Sequence, residues 1–144
     1  MATAASSATA QDSPRGGLHT ALWVAQFLLA CAFGTAGLGK ATDPIAELVL
    51  DLPWIASLPV PLVRFIGGVE FLGALGLILP SFTGVRPGLT PLAALGLALV
   101  MLLAAGFHLS RGETVGVAVT ATLGAMAVFI AWGRLRKVPI KARS

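Results

Sequence analysis

Charged side chains fall in a few clusters along this chain, and the intervals between them set its first-order structure. Residues 16–39, 87–110 and 114–133 contain no Asp, Glu, Lys or Arg, giving uninterrupted stretches of 24, 24 and 20 residues. A helix rising ~1.5 Å per residue needs about 20 residues to cross a ~30 Å hydrocarbon layer, so each stretch can span a membrane. A fourth apolar segment, about 60–80, is long enough but contains Arg64 and Glu70. These segments lack the two-residue alternation of barrel strands and are rich in Ala, Leu and Gly. The pattern predicts an all-α integral membrane protein, a four-helix bundle with spans at about 18–39, 60–80, 88–109 and 113–132.

Composition excludes the competing classes. Of 144 residues 56% are hydrophobic and 11% charged, and mean hydropathy is +0.88. Soluble domains carry roughly 25% charged residues, so this chain has too few to cover a water-exposed surface. Disorder is excluded by the abundance of apolar side chains, and a single cysteine excludes an internal disulfide framework. Leu28-Leu29-Ala30-Cys31 resembles a lipoprotein processing site, but Leu29 is unusual there. The apolar run also continues to Gly39, longer than a signal-peptide core, so the segment reads as a retained span. Cys31 is then expected as a small packing residue within the first helix.

Basic residues set the orientation. Four spans put both termini and the 81–87 turn on one side, with Arg15, Arg86, Arg134, Arg136, Lys137, Lys141 and Arg143; the other side holds Lys40, Arg64 and Arg111. The positive-inside rule places both termini in the cytoplasm, in a multi-pass protein of the cell membrane. Residues 1–17 read as a disordered cytoplasmic tail, 18–133 as the four-helix transmembrane domain and 134–144 as a basic cytoplasmic tail. The basic tail is explained by anionic lipid headgroups, and nucleic acid is not expected as a partner. The outer loop, 40–59, carries Ile45, Leu48, Val49 and Leu52 at helical spacing with Glu47 and Asp51 opposite. It predicts a short interfacial helix that Asp43 caps and Pro44 starts, and Trp54 suits the membrane interface.

Helices in lipid associate through close approach at small residues. Candidate stripes are Cys31, Thr35 and Gly39 in the first span, Gly68, Gly73 and Gly76 in the second, Gly96, Ala104 and Ala105 in the third, and Gly116, Thr120 and Gly124 in the fourth. A compact bundle accounts for them without any ligand.

Four polar side chains demand more. Charges at the bilayer centre cost ~2.5–3.5 kcal/mol on insertion scales, and residues there pair or face a cavity. Glu70 lies nine residues below Pro61, or ~14 Å down, near the midplane, where a carboxylate is either protonated or paired. Arg64, about 240° away around the same helix, can snorkel outward. Lys40 and His108 sit at the outer ends of the first and third spans; water, headgroups or a site group could satisfy His108. Lys40, Arg64, Glu70 and His108 form the candidate polar cluster, which places the membrane-associated ionisable groups in the outer half. Metal-ligand spacing, a nucleophile–base arrangement and a phosphate-binding glycine loop are not found, and His19 lies at the opposite membrane face from His108.

The segment Phe33-Gly34-Thr35-Ala36-Gly37-Leu38-Gly39-Lys40, then Asp43-Pro44 and Leu58-Pro59, resembles the DoxX family. So do Arg64-Phe65-Ile66-Gly67-Gly68-Val69-Glu70-Phe71-Leu72-Gly73 and the His108 at the end of the third span. The likeness spans about 30–113. It implies a four-helix bacterial inner-membrane protein. The family includes a subunit of thiosulfate:quinone oxidoreductase and members that assemble with a sulfurtransferase and a superoxide dismutase. By that resemblance the chain is expected to be a non-catalytic or accessory subunit of a quinone-linked redox or sulfur-oxidation system, with a bound quinone conceivable and no other cofactor indicated. Expected partners are the bilayer, other membrane, periplasmic or cytoplasmic redox subunits, and further copies of the chain. The alternatives are a membrane assembly scaffold without a redox role and a small proton-coupled transporter. Against the transporter, the intramembrane carboxylate is in the second span and the chain has no Tyr.

Overall fold

The computed structural model describes residues 14–143, with side chains described from Gly16 onward. All its regular elements are helical: α1 (Pro14–Thr42), α2 (Ile45–Asp51), a 3-10 turn (Pro53–Ser57), α3 (Val60–Thr83), α4 (Leu89–Ser110), α5 (Thr114–Trp132) and a π-helical turn (Gly133–Lys137). Four of these helices, α1, α3, α4 and α5, are long and apolar enough to cross a membrane. Three spans begin within a residue of the expected positions. The first is longer at both ends than the expected 18–39, because a lone Lys40 does not stop a helix when its side chain finds a partner inside. Residues 14–17, expected in a disordered tail, belong to α1; the rest of that tail lies outside the described residues.

Two hairpin-like pairs make the bundle. Helix α1 packs along α3, α4 packs along α5, and α3 against α4 joins the pairs, as the short 81–87 and 110–112 turns require. The core of Leu29, Phe33, Ala74, Leu77, Ala94, Leu97 and Ile130 occupies the middle and the termini end. Exposed Phe65, Leu102, Leu103 and Val115 make the outer face apolar, as lipid contact demands.

The α1–α3 crossing depends on two glycines. A methyl on Gly37 would lie 2.6 Å from the Phe71 nitrogen and 2.8 Å from the Gly67 oxygen; one on Gly67 would lie 2.7 Å from both the Ala41 nitrogen and the Gly37 oxygen. Backbone therefore touches backbone there. The expected stripe on the first span is misplaced by nearly half a turn: Cys31 and Thr35 are exposed, and Leu22, Leu29, Phe33, Gly37 and Lys40 form the buried ridge. Cys31 is thus a surface residue of the helix and not a packing residue. Gly68 and Gly96 meet nothing, whereas Gly73 faces Leu97 and Gly124 faces Met101.

The loop helix forms over Ile45–Asp51, with Leu48 buried and Glu47 and Asp51 exposed. Its cap differs from expectation. Pro44 occupies the N-cap with no side-chain bond, and the Asp43 carboxylate instead accepts from the Thr42 hydroxyl at 3.2 Å.

The crossing gives a paired test on adjacent residues. Gly67→Ala should lower unfolding stability in detergent by about 1–3 kcal/mol through forced overpacking. Gly68→Ala, which adds a methyl into open space, should be neutral or stabilising by up to about 1 kcal/mol through helix propensity. Equal effects would refute the backbone contact.

Candidate functional site

Pro44 has no N–H to donate to the Lys40 carbonyl four residues earlier, so the end of α1 lacks a helical partner. Arg64 supplies one. Its guanidinium donates to the Lys40 carbonyl at 2.7 Å and the Asp43 carbonyl at 2.6 Å, where the helix dipole also favours a cation. Arg64 therefore ties α3 to the end of α1 and does not snorkel outward.

The same crossing buries Lys40 and Glu70. The Lys40 ammonium donates to Glu70 Oε2 in a buried ion pair, and both residues are less than a tenth exposed. At this depth a carboxyl group needs a partner, and Lys40 is that partner. The indole of Trp54 lies 5.9 Å from the Lys40 ammonium, a cation–π contact.

His108, at the end of α4, is 8% exposed and held from three sides. Its Nδ1 lies 2.6 Å from Glu113 Oε2, and its ring meets Trp54 and Phe107 edge-on at 5.7 and 5.6 Å. Gly116 leaves the room: a methyl there would lie 2.5 Å from His108 Nδ1. The other Glu113 oxygen accepts from Arg111 Nε at 2.6 Å, and Arg111 also donates to the Ser57 hydroxyl at 2.8 Å. Hydrogen bonds from Arg111 and then from His108 hold the Glu113 carboxyl below its ordinary value of 4.5, against a smaller opposing effect of burial.

Between the two helix pairs, at the end holding these groups, lies a cavity of about 810 Å³. Its walls are apolar, with Phe33 and Ala36 from α1, Ile66 and Val69 from α3, Ala104 and Phe107 from α4, and Val119 and Leu123 from α5. Lys40, Glu70, His108, Glu113 and Trp54 line it as well, whereas Arg64 does not. The space exists because small residues, Ala32, Ala36, Ala104, Gly116 and Thr120, stand where larger ones would close it.

Trp54, expected at the membrane interface, and Glu113, which no spacing in the sequence singles out, both line the cavity. A second polar cluster, not signalled by any charge pattern, lies at the termini end. Arg134, expected in the basic tail, is 3% exposed. Its Nε donates to Gln26 Oε1 at 2.6 Å, and the Gln26 amide donates to the Leu77 carbonyl and the Ser81 hydroxyl at 2.6 and 3.2 Å. Ser81 and Thr90 complete it at 2.8 Å. Ionisable groups therefore occupy both ends of the bundle, not only the outer half.

A model of the DoxX-like family matches residues 24–130, three-quarters of the chain. The chain belongs to the DoxX-like family. No curated protein and no solved structure matches it. With four membrane-crossing helices, this DoxX-like chain is a multi-pass membrane protein. The family match runs through Lys40, Arg64, Glu70, His108 and Glu113.

The Glu113 carboxylate gives a pH dependence with a definite sign. Its folded value is depressed, so its contribution to stability is complete above about pH 4.5 and is lost as pH falls through the folded value. The stability gap between wild type and Glu113→Gln, measured by thermal unfolding, should hold constant near neutral pH and close in acid. A gap that widens in acid would reverse the assignment.

Proposed function

We propose that this chain is an accessory, quinone-binding subunit of a membrane redox or sulfur-oxidation system. The observation that carries the reading is the cavity: about 810 Å³, walled by aliphatic and aromatic side chains and polar at one end. Small-molecule sites have this build, mostly apolar with a few placed polar groups. A membrane quinone has the matching one, a flat ring with two oxygens on a long apolar tail. Lys40 could donate to a ring oxygen, His108 stands beside it at the same polar end, Trp54 and Phe107 offer aromatic surface, and the wall between α3 and α4 could take the tail.

The chemistry such a group supplies is electron transfer; this chain's residues would bind it, orient it and keep water from its ring. Electrons would come from other subunits. Cys31 lies on the outer helix face, and the chain has no second cysteine for dithiol chemistry. The partner subunits, the bacterial plasma membrane and the cytoplasmic placement of both termini belong to this proposal, the last supported by the excess of basic residues at the termini end. A proton-coupled transporter is less well supported, because Lys40 already occupies the Glu70 carboxylate.

Filling the cavity tests the reading without disturbing its charges. Ala104→Phe, in lipid nanodiscs, should weaken binding of decylubiquinone at least tenfold while keeping the unfolding temperature close to that of wild type. Unchanged binding with an intact fold would remove the quinone from the account.

A further inference from the structure

His108 faces the cavity with a defined hydrogen-bonding character. A carboxylate oxygen accepts and cannot donate, and Glu113 Oε2 lies 2.6 Å from His108 Nδ1, so Nδ1 carries the proton. In a neutral imidazole the other nitrogen is then an acceptor. That nitrogen, Nε2, makes no hydrogen bond among the described residues, although His108 is buried and lines the cavity. Arg111 keeps Glu113 in its role: Nε donates to Oε1 at 2.6 Å, leaving Oε2 for the histidine. The depressed Glu113 value accords with a carboxylate that remains ionised there. Ring orientation is fixed as well, by Gly116 beneath it and by the edges of Trp54 and Phe107.

Resting on the quinone reading, we infer that His108 Nε2 accepts a hydrogen bond from a ligand hydroxyl, so the site prefers the reduced quinol to the oxidised quinone, with Glu113 as the residue that sets the histidine tautomer. A quinol presents O–H groups, which match a lone pair. A quinone presents carbonyl oxygens, which would face that lone pair with no hydrogen between them. Leaving a buried polar atom unmatched weakens binding by about tenfold or more. Glu113 is a positioning residue here: it acts on the ligand only through His108.

Glu113→Gln reverses the arrangement on paper. The Gln oxygen stays with Arg111, and its amide N–H then faces Nδ1. That places the lone pair on Nδ1 and the proton on Nε2, which becomes a donor suited to a quinone carbonyl.

Two measurements test this separately from the quinone reading. Nitrogen NMR of histidine-labelled protein, with His108→Gln assigning the signals, should show a protonated Nδ1 and a bare Nε2 in wild type and the opposite in Glu113→Gln. A wild-type Nε2 that carries the proton overturns the inference whatever the ligand. Binding in nanodiscs should favour decylubiquinol over decylubiquinone about tenfold in wild type, with the preference lost or inverted in Glu113→Gln. Equal binding of the two forms, unaltered by the variant, overturns the inference and spares the quinone reading. Binding of neither form overturns both.

Discussion

The ion pair between Lys40 and Glu70 is the contact on which the rest of this bundle depends. Two opposite charges have left water together, which is tolerable only if they pair with each other. Gly37 and Gly67 make that engagement possible. Without a side chain at either position the backbones of α1 and α3 touch, and Glu70 and Lys40 come within reach immediately beside the contact. Arg64 adds two further bonds from α3 to the end of α1. One crossing thus combines close packing, a buried charge pair and a cap for a helix that Pro44 leaves unsatisfied.

That local tightness has a consequence on the other side of the bundle. Where α1 and α3 are drawn together, they leave room between themselves and the α4–α5 pair. Small side chains keep the room open at this end, and large ones close it beyond Phe33 and Met101. At the termini end Arg134, Gln26, Ser81 and Thr90 tie the π-helical turn after α5 to α1, α3 and α4 through hydrogen bonds. A hydrogen-bonded cluster therefore ties one end of the described bundle and the cavity of about 810 Å³ opens the other, with the titratable groups of the Glu113 set at the cavity end. The 3-10 turn after α2 covers it through Trp54 and is fastened by the Arg111–Ser57 bond.

Spans and connectivity were legible because hydrocarbon thickness and the cost of charge act on every residue of a span alike. Residues 87–110 mapped onto α4 almost without adjustment. What was not legible depended on pairs far apart in the chain. Gln26 is uncharged and sits in an unbroken apolar run, so counting charges passes over it, and its partner Arg134 is 108 residues away. The positive-inside pattern gave Arg134 a sufficient role in the tail and hid its inward orientation. Choosing between stripes on α1 required knowing which face meets α3: Cys31, Thr35 and Gly39 had the better spacing, yet Gly37 makes the contact. Lys40, Glu70 and His108 stood out because polar groups near lipid need partners, but those partners emerged only from the folded chain.

A double-mutant cycle on the ion pair tests the central claim most directly. Unfolding free energies would be measured in one detergent for wild type, Lys40→Met, Glu70→Leu and the double variant. Removing one partner leaves a buried charge alone, so each single change should cost about 3–5 kcal/mol. The double change, which replaces both charges by apolar groups, should cost less than either single change. Small and additive single effects would show that the pair does not hold α1 to α3, and the account built on that crossing would be wrong.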